Sequence, residues 1–196
     1  MSSRDAILAA LRRGAGAPAP LPPYPEPTRY ADPVEKFLET ARAVGATAVR
    51  VAAPAELDAE LRKLPVWAGA RKTVSLVAGA GASTVDVAAA RRPQDLEGVE
   101  VAVVPGEVGV AENGAVWVPG ANLGPQRAIF VITEHLVLVV RAQDVVSSMQ
   151  EAYARITIQR PGFGLFISGP SKTADIEQSL VVGAHGARSC AVLVVG

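Results

Sequence analysis

Residues 136–140, Leu-Val-Leu-Val-Val, decide the fold, because five consecutive apolar residues of this kind predict a strand that is buried on both faces. The closing stretch Ala191–Val195 has the same character, and Thr47–Val51, Thr73–Val77 and Val99–Val104 are further strand candidates. Predicted helices alternate with several of these strands. This alternation indicates an α/β fold with a mostly parallel sheet that helices cover on both faces.

The helix predictions rest on capping signals. Asp32, followed by Pro33 and Glu35, predicts a helix start, and Gly45 predicts its end. Further helices are predicted over Pro54–Leu64, Ser83–Arg92, Asp144 to about Ile158, and Thr173–Val181.

The middle of the chain has a different pattern. Val108–Ala111 and Ala115–Val118 are short strand candidates on either side of Asn113-Gly114, and Asn-Gly is a strong signal for a tight turn. Gly164–Ile167 is predicted as one more strand. The central pair therefore indicates a small antiparallel insertion or edge.

A chain of 196 residues suits one buried core. Residues 1–27 are predicted to be an N-terminal arm, with a helix from Ser2 or Ser3 to Arg13 and a Pro-rich linker over Ala15–Pro27. Residues 28–196 are predicted to form a single α/β domain. An arm of this kind often packs on a neighbouring subunit, so a homo-oligomer is one expectation.

Composition excludes several classes of function. Lys and Arg together number 19, as do Asp and Glu, so the formal net charge is zero and nucleic acid is not expected as a partner. The single cysteine, Cys190, excludes a disulfide or a four-cysteine iron–sulfur cluster within this chain, and no metal site is predicted. No apolar run reaches the roughly 18 residues of a membrane span, and no signal peptide is recognisable. We therefore expect a cytoplasmic protein.

The densest polar stretch is Ser168-Gly-Pro-Ser-Lys-Thr-Ala-Asp-Ile-Glu177, which we name the 168–177 segment. It is predicted to be a turn followed by a helix start. Hydroxyls, a lysine and backbone N–H groups at such a point bind phosphate or carboxylate, although the same residues also serve as an ordinary helix cap. The candidate ligand-binding residues here are Gly169, Pro170, Ser171, Lys172, Thr173 and Asp175.

Three other places carry candidate chemistry. His185 stands among glycines, where it is either an acid/base group near neutral pH or a structural residue. Glu112 precedes the Asn-Gly turn, where it is either a rigidly held nucleophile or a solvated turn residue. Arg127 is an anion clamp or a surface residue. The candidate catalytic residues are thus Glu112 and His185, and the further candidate ligand-binding residues are Asn113, Gly114, Arg127, Gly183 and Gly186.

These motifs together resemble a known family. The 168–177 segment, followed by His185-Gly186, is similar to the signature of the lactate-utilisation protein C family, the LUD domain. The upstream order is similar too: the 111–114 stretch, Ala-Glu-Asn-Gly, comes first, then Arg127, and then the apolar strand after His135. The resemblance covers nearly the whole chain, including the N-terminal arm.

The resemblance implies a fold of the NagB/RpiA/CoA-transferase-like superfamily, whose members bind anionic or thioester ligands at the carboxyl ends of parallel strands. It also implies a non-redox subunit or accessory protein of an L-lactate-oxidising system. Iron–sulfur clusters would then belong to partner proteins, and this chain would have no cofactor of its own. Its small anionic ligand would be a carboxylate, a phosphate or a CoA thioester.

One departure from the family pattern keeps other functions open. Where many relatives have Glu-Thr-Gly-Thr, this chain has Glu-Asn-Gly-Ala over residues 112–115, which is similar to the segment that carries the nucleophilic glutamate of some CoA transferases. A stand-alone CoA-transferase-like or ligase-like enzyme that uses Glu112 is therefore an alternative. A ligand-sensing or scaffolding domain is another, and whether the chain is an enzyme stays open.

Overall fold

The computed structural model describes residues 2–14, 20–158, 162–176 and 179–196, and for 174–176 and 179 it describes the backbone. The helices are α1 (Ser3–Gly14), α2 (Pro33–Ala43), α3 (Leu57–Lys63), α4 (Pro65–Ala68), α5 (Ile129–Ile132) and α6 (Met149–Arg155). The strands are β1 (Thr47–Val51), β2 (Thr73–Ser75), β3 (Val101–Pro105), β4 (Val108–Val110), β5 (Ala115–Pro119), β6 (His135–Arg141), β7 (Val145–Val146), β8 (Gly164–Ile167), β9 (Lys172–Ile176), β10 (Ser179–Val182) and β11 (Ser189–Val195).

A five-stranded parallel sheet with the strand order β1-β11-β6-β3-β2 forms the framework. Its central pair, β6 and β11, runs in register from His135 opposite Ser189 to Arg141 opposite Val195. These are the two most apolar predicted strands, and both are buried along nearly their whole length. The predicted α/β fold with a mostly parallel sheet is confirmed.

The two faces of this sheet bury alternate residues of each strand. Val137 and Leu193 point to one face, where Leu57 and Leu61 of α3 cover them. Leu138 belongs to the opposite face, which is covered by α2 and by a second sheet. Helices therefore lie on both faces, as the apolar strands predict.

The second sheet has the strand order β7-β4-β5-β8. Strands β4 and β5 form the antiparallel hairpin that Asn113-Gly114 predicts, and β8 pairs antiparallel with β5. Its inner residues, such as Val116, join the core between the sheets, and its outer face packs on α6 through Ala152. The predicted antiparallel insertion is confirmed, and it is a complete layer of the fold.

The predicted helix over Ser83–Arg92 is wrong. Only a single 3-10 turn forms there, at Val87–Ala89. The Ser83 and Thr84 hydroxyls instead accept hydrogen bonds of 2.8 Å from backbone N–H groups of β2. Because β2 is an edge strand with unpaired backbone groups, the segment satisfies that edge instead of coiling.

The helix predicted to start at Asp144 begins later. Its N-cap is Ser148, whose hydroxyl accepts from the backbone N–H of Glu151, and α6 ends at Arg155. Asp144 is paired with Arg141 at 2.6 Å, and strand β7 follows it. Because β7 pairs with β4, the backbone groups of this segment form strand hydrogen bonds instead of helical ones.

The predicted helix over Thr173–Val181 is also wrong, because β9 and β10 form an antiparallel hairpin there. Val181 lies opposite Thr173, and Val182 lies opposite Lys172. Backbone bonds to distant residues decide this outcome: Ser171 N–H donates to the Ala187 carbonyl, and Gly183 N–H donates to the Ser171 carbonyl. Thr173 is consequently a strand residue and not a helix cap.

The N-terminal helix forms as predicted, and α1 contains no buried residue. Residues 20–29 form neither helix nor strand, while residues 15–19 of the predicted linker lie outside the described residues. The division into an arm over 1–27 and a domain over 28–196 stays a prediction. Among the described helices, none is long and apolar enough to cross a membrane.

Candidate functional site

The 168–177 segment is anchored at two places. Ser168 Oγ donates to the Asn113 carbonyl at 2.7 Å, which joins the segment to the β4–β5 turn. Lys172 Nζ donates to the Val44 carbonyl, at the carboxyl end of α2. Gly169, with φ +71°, makes this approach feasible, because an added Cβ would lie 2.6 Å from the same carbonyl oxygen. Lys172 therefore neutralises the negative end of a helix in this structure.

The hairpin brings the predicted polar residues together with the loop before β11. An added Cβ on Gly186 would lie 3.4 Å from Ser171 Oγ, so the glycine lets these two segments of the chain approach each other closely. Thr173 Oγ1 lies 3.4 Å from His185 Nδ1. Gly183 adopts φ +80°, which turns the chain from β10 into this loop. Thr173 and His185 are thus in contact, and Ser171 lies beside the neighbouring Gly186; we name these three residues the hydroxyl–histidine cluster.

This cluster lies at the amino edge of the parallel sheet. Ser171 is bonded to Ala187, two residues before β11 begins, and Lys172 contacts Val44, just before β1. The resemblance led us to expect ligand-binding residues at the carboxyl ends of the strands. The structure places this predicted cluster at the opposite end.

Glu112 belongs to a different hydrogen-bonded group. Its Oε1 accepts from the backbone N–H of Met149 at 2.8 Å, so the carboxylate satisfies the first turn of α6. Asn113 Oδ1 accepts from Ala115 N–H, which closes the turn. Gly114, with φ +64°, packs so tightly on α2 that an added Cβ would lie 2.8 Å from the Ala41 nitrogen. The turn thus has a structural task, and the predicted catalytic role of Glu112 stays a prediction.

Three other predicted residues have separate surroundings. Arg127 stacks over the ring of Phe163 at 5.1 Å and does not join the hydroxyl–histidine cluster. Pro170 is half-buried and lies against Gly45, while the side chain of Asp175 lies outside the described residues. None of the three belongs to the hydroxyl–histidine cluster.

Sequence reasoning missed a pair of contacts beneath the cluster. Arg188 forms an ion pair with Glu134, and its backbone N–H donates to the carbonyl of that residue. His135 Nδ1 lies 2.7 Å from Ser189 Oγ across the β6–β11 pairing. The polar residues at the start of two otherwise apolar strands were the available signal. The Arg188 contacts hold the loop that carries His185 against the sheet, whereas the His135–Ser189 contact joins the two strands.

Cys190 is unsuited to nucleophilic chemistry. It is buried in β11, and this burial raises the pKa of its thiol from 9.0 to about 12, although the charge of Lys172 acts in the opposite direction. The thiol therefore stays protonated near neutral pH. Within the described ranges, no group of three or more His, Cys, Asp or Glu residues is arranged to hold a metal.

The hydroxyl–histidine cluster has a defined chemical capacity. Two half-buried hydroxyls and one exposed imidazole offer hydrogen-bond donors, and a protonated imidazole adds a positive charge. Such groups suit a carboxylate or phosphate oxygen. Lys172, from the same segment, donates to the Val44 carbonyl instead.

Comparisons with known proteins agree with the motifs. A family model described as "LUD domain" matches residues 78–195. A "Lactate utilization protein C" from Deinococcus radiodurans is 32% identical over 190 residues, which cover 91% of this chain and 88% of that protein. Proteins of the same name from Shouchella clausii and Geobacillus kaustophilus are 33% and 36% identical over 54% and 50% of this chain. The matched stretches span 48% and 43% of those two relatives, so the chain covers about half of their length.

A solved structure supports the fold independently. The crystal structure of a DUF162 family protein from Deinococcus radiodurans superposes with a TM-score of 0.59 and 21% identity. It matches 87% of this chain and all of the other chain. With a family model that matches more than half of its residues and a relative aligned over nearly its whole length, the chain belongs to the LUD domain family.

Proposed function

We propose that this protein is a non-redox component of an L-lactate utilisation system and that the hydroxyl–histidine cluster binds a small anionic ligand. The family supports the first part, because similar proteins are named for lactate utilisation. The single observation that carries the second part is the contact of Thr173 with His185, beside which backbone bonds to Ala187 and Gly183 hold Ser171. Each of these residues contributes a group that binds carboxylate or phosphate oxygens.

The chemistry of lactate oxidation supports a shared system. Conversion of a 2-hydroxy acid to a 2-keto acid releases two electrons and two protons, so an electron acceptor is required. This chain has a single cysteine, which is buried and protonated, whereas a cysteine-ligated cluster requires several thiolate ligands. Iron–sulfur partner proteins would therefore carry the electrons, while this protein binds or presents the carboxylate.

Ligand binding is tested by thermal shift with L-lactate, pyruvate, inorganic phosphate and CoA as separate probes. A probe at about 100 times its dissociation constant stabilises the protein by roughly 2.7 kcal/mol. We expect His185→Gln to abolish the shift. The chain's other histidine gives a matched control: His135→Gln loses the Ser189 contact and lowers the melting temperature, but it retains the ligand-induced shift. Equal loss in both variants, or no shift with any probe, contradicts the ligand part of the proposal.

The non-redox part needs a separate test. The purified chain is mixed with L-lactate and an artificial dye acceptor, and we expect no dye reduction. Growth on L-lactate should nevertheless be lost when the gene is deleted and restored by the wild-type gene. Dye reduction by the isolated chain, or unimpaired growth of the deletion strain, contradicts the proposed role.

The Glu112→Gln variant distinguishes the transferase alternative from the proposed role. This variant keeps an oxygen that accepts from Met149 N–H, so the protein should remain folded. A covalent mechanism loses its nucleophile in the variant, whereas the proposed role does not. We expect growth on L-lactate to be unchanged in Glu112→Gln, and loss of growth with intact folding favours the transferase alternative.

A further inference from the structure

A cleft of about 510 Å³ opens beside the second sheet. Its lining includes Glu107, which follows β3, Trp117 of β5, Arg127 and Phe163, which precedes β8. None of its lining residues belongs to the hydroxyl–histidine cluster. Its volume lies within the range of about 300–1,000 Å³ that is common for small-molecule sites.

Trp117 lines this cleft with an indole ring that is otherwise closely packed. The residue is only 4% exposed, and its indole Nε1 has no hydrogen-bond partner among the described residues. Buried donors are nearly always paired, because an unpaired buried donor destabilises the folded state. Gly164 accommodates the ring, since an added Cβ there would lie 2.2 Å from the indole Cζ2. Close packing against Gly164 therefore fixes the ring that Trp117 presents to the cleft.

Arg127 supplies a cation in the same cleft. Its guanidinium group lies 5.1 Å from the centre of the Phe163 ring, and Phe163 in turn stacks with Phe130 at 6.3 Å. None of the ion pairs formed within the described ranges involves Arg127. A guanidinium stacked on an aromatic ring keeps its N–H edge available for a carboxylate or a related oxyanion.

The remaining lining is largely apolar, with Ile158 and Pro119 beside the two aromatic residues. Among the described residues that line the cleft, Glu107 is the one carboxylate, and it stands two residues after the end of β3. A bound anion is thus expected to turn its charge toward Arg127 and its apolar body toward Trp117 and Phe163.

We propose that this cleft binds an organic anion with a flat apolar body. The oxyanion pairs with Arg127, and the body lies against Phe163 and Trp117. This site is separate from the hydroxyl–histidine cluster, and the proposal does not depend on the proposed function.

The test uses Trp117 as its own reporter. The chain has two tryptophans, so Trp67→Phe leaves Trp117 alone, and Trp67 belongs to α4 on the far face of the parallel sheet. The single-tryptophan protein is titrated with 8-anilinonaphthalene-1-sulfonate, an aromatic anion, and with N-phenyl-1-naphthylamine, which lacks the sulfonate. We expect saturable 1:1 binding of the sulfonate with quenching of Trp117 emission. Absence of binding, or binding without a change in Trp117 emission, overturns the proposal.

Two arginine variants then identify the anion contact. Arg127→Gln should weaken sulfonate binding by about tenfold or more, and change the binding of the neutral probe less than about twofold. Arg71→Gln is the matched control, because Arg71 is exposed and precedes β2 at the amino edge of the parallel sheet. Unchanged sulfonate binding in Arg127→Gln, or an equal loss in Arg71→Gln, overturns the assignment of Arg127.

A third variant separates packing from charge. Phe163→Leu keeps Arg127 but removes the ring beneath it, and it should weaken both probes because each loses the same aromatic contact. Normal circular dichroism and an unchanged melting temperature confirm that this partly exposed residue is not needed for folding. Retention of wild-type affinity for both probes contradicts the proposed place of the apolar body.

Discussion

The five-stranded sheet and the β9–β10 hairpin are held in place by different forces. Strands β6 and β11 pair along their whole lengths and bury apolar side chains on both faces. The hairpin pairs only with itself and is attached through hydrogen bonds to Val44, Asn113 and Ala187. The sheet thus depends on buried area, whereas the hairpin depends on a few polar contacts between residues far apart in sequence. The candidate site lies in the second kind of region, where local stability is typically lower.

The largest effect expected from this difference concerns matched leucines. Leu138 in β6 is fully buried, whereas Leu180 in β10 is 64% exposed. Leu138→Ala should lower the free energy of unfolding by about 2–5 kcal/mol, because it leaves a cavity between the two sheets. Leu180→Ala should change it by less than about 0.5 kcal/mol. Urea denaturation measures both, and similar losses would show that the hairpin is part of the cooperative core.

The next effect concerns matched glycines with positive φ. Gly169→Ala would place a Cβ 2.6 Å from the Val44 carbonyl oxygen, whereas Gly79→Ala would meet no atom within 4 Å. Both variants strain the backbone by about 1 kcal/mol, but Gly169→Ala adds a clash and should cost about 2–3 kcal/mol. Hydrogen exchange should localise the Gly169 effect to residues 168–187. Uniform loss of protection across β6 and β11 would contradict this separation of the two regions.

The smallest effect concerns Cys190 in β11, a strand of the sheet, whose thiol is influenced by the charge of Lys172 in the hairpin. Cys190 begins the buried part of β11, and burial raises the pKa of its thiol from 9.0 to about 12. Between these values the unfolded chain has lost the proton while the folded chain retains it. The contribution of the thiol is therefore complete below about pH 9 and is lost progressively as the pH rises toward 12.

Comparison with Cys190→Ala isolates this titration from those of lysine and tyrosine residues. Between pH 8 and pH 10, the stability of the wild type should fall by about 1 kcal/mol more than that of the variant. Urea denaturation at the two pH values gives the difference. A parallel decline in both proteins would mean that Cys190 is solvated in the folded state.

Several elements could be predicted because local and tertiary preferences agree. Asp32 caps α2 through the N–H of Glu35, as the Asp-Pro-x-Glu pattern predicts. The apolar stretch 136–140 forms the centre of the sheet, and Asn113-Gly114 forms the turn of a hairpin. In each case the residues that specify the element lie within the element or directly beside it.

Other elements could not be predicted because distant partners decide them. Thr173 and Asp175 are residues that favour a helix start. The backbone N–H of Ser171 nevertheless donates to Ala187, and the N–H of Gly183 donates to Ser171, so the segment between them forms a hairpin. Ser83 and Thr84 likewise satisfy the edge of β2 instead of starting a helix. The candidate site was affected most, because the sequence predicts a helix start at Ser171 and Thr173 and treats His185 as a separate place, whereas the hairpin brings Thr173 against His185.

The sequence by itself determined the class of fold, the two apolar central strands and the resemblance to a family, since burial and short-range turn chemistry are written in adjacent residues. Only the tertiary structure decided that the 168–177 segment is a hairpin at the amino edge of the sheet, that Glu112 satisfies α6, and that Arg127, Phe163 and Trp117 line one cleft. These outcomes depend on which distant backbone groups and rings meet. These long-range contacts are determined by the folded structure as a whole, because no local pattern of residues specifies which distant residue is the partner.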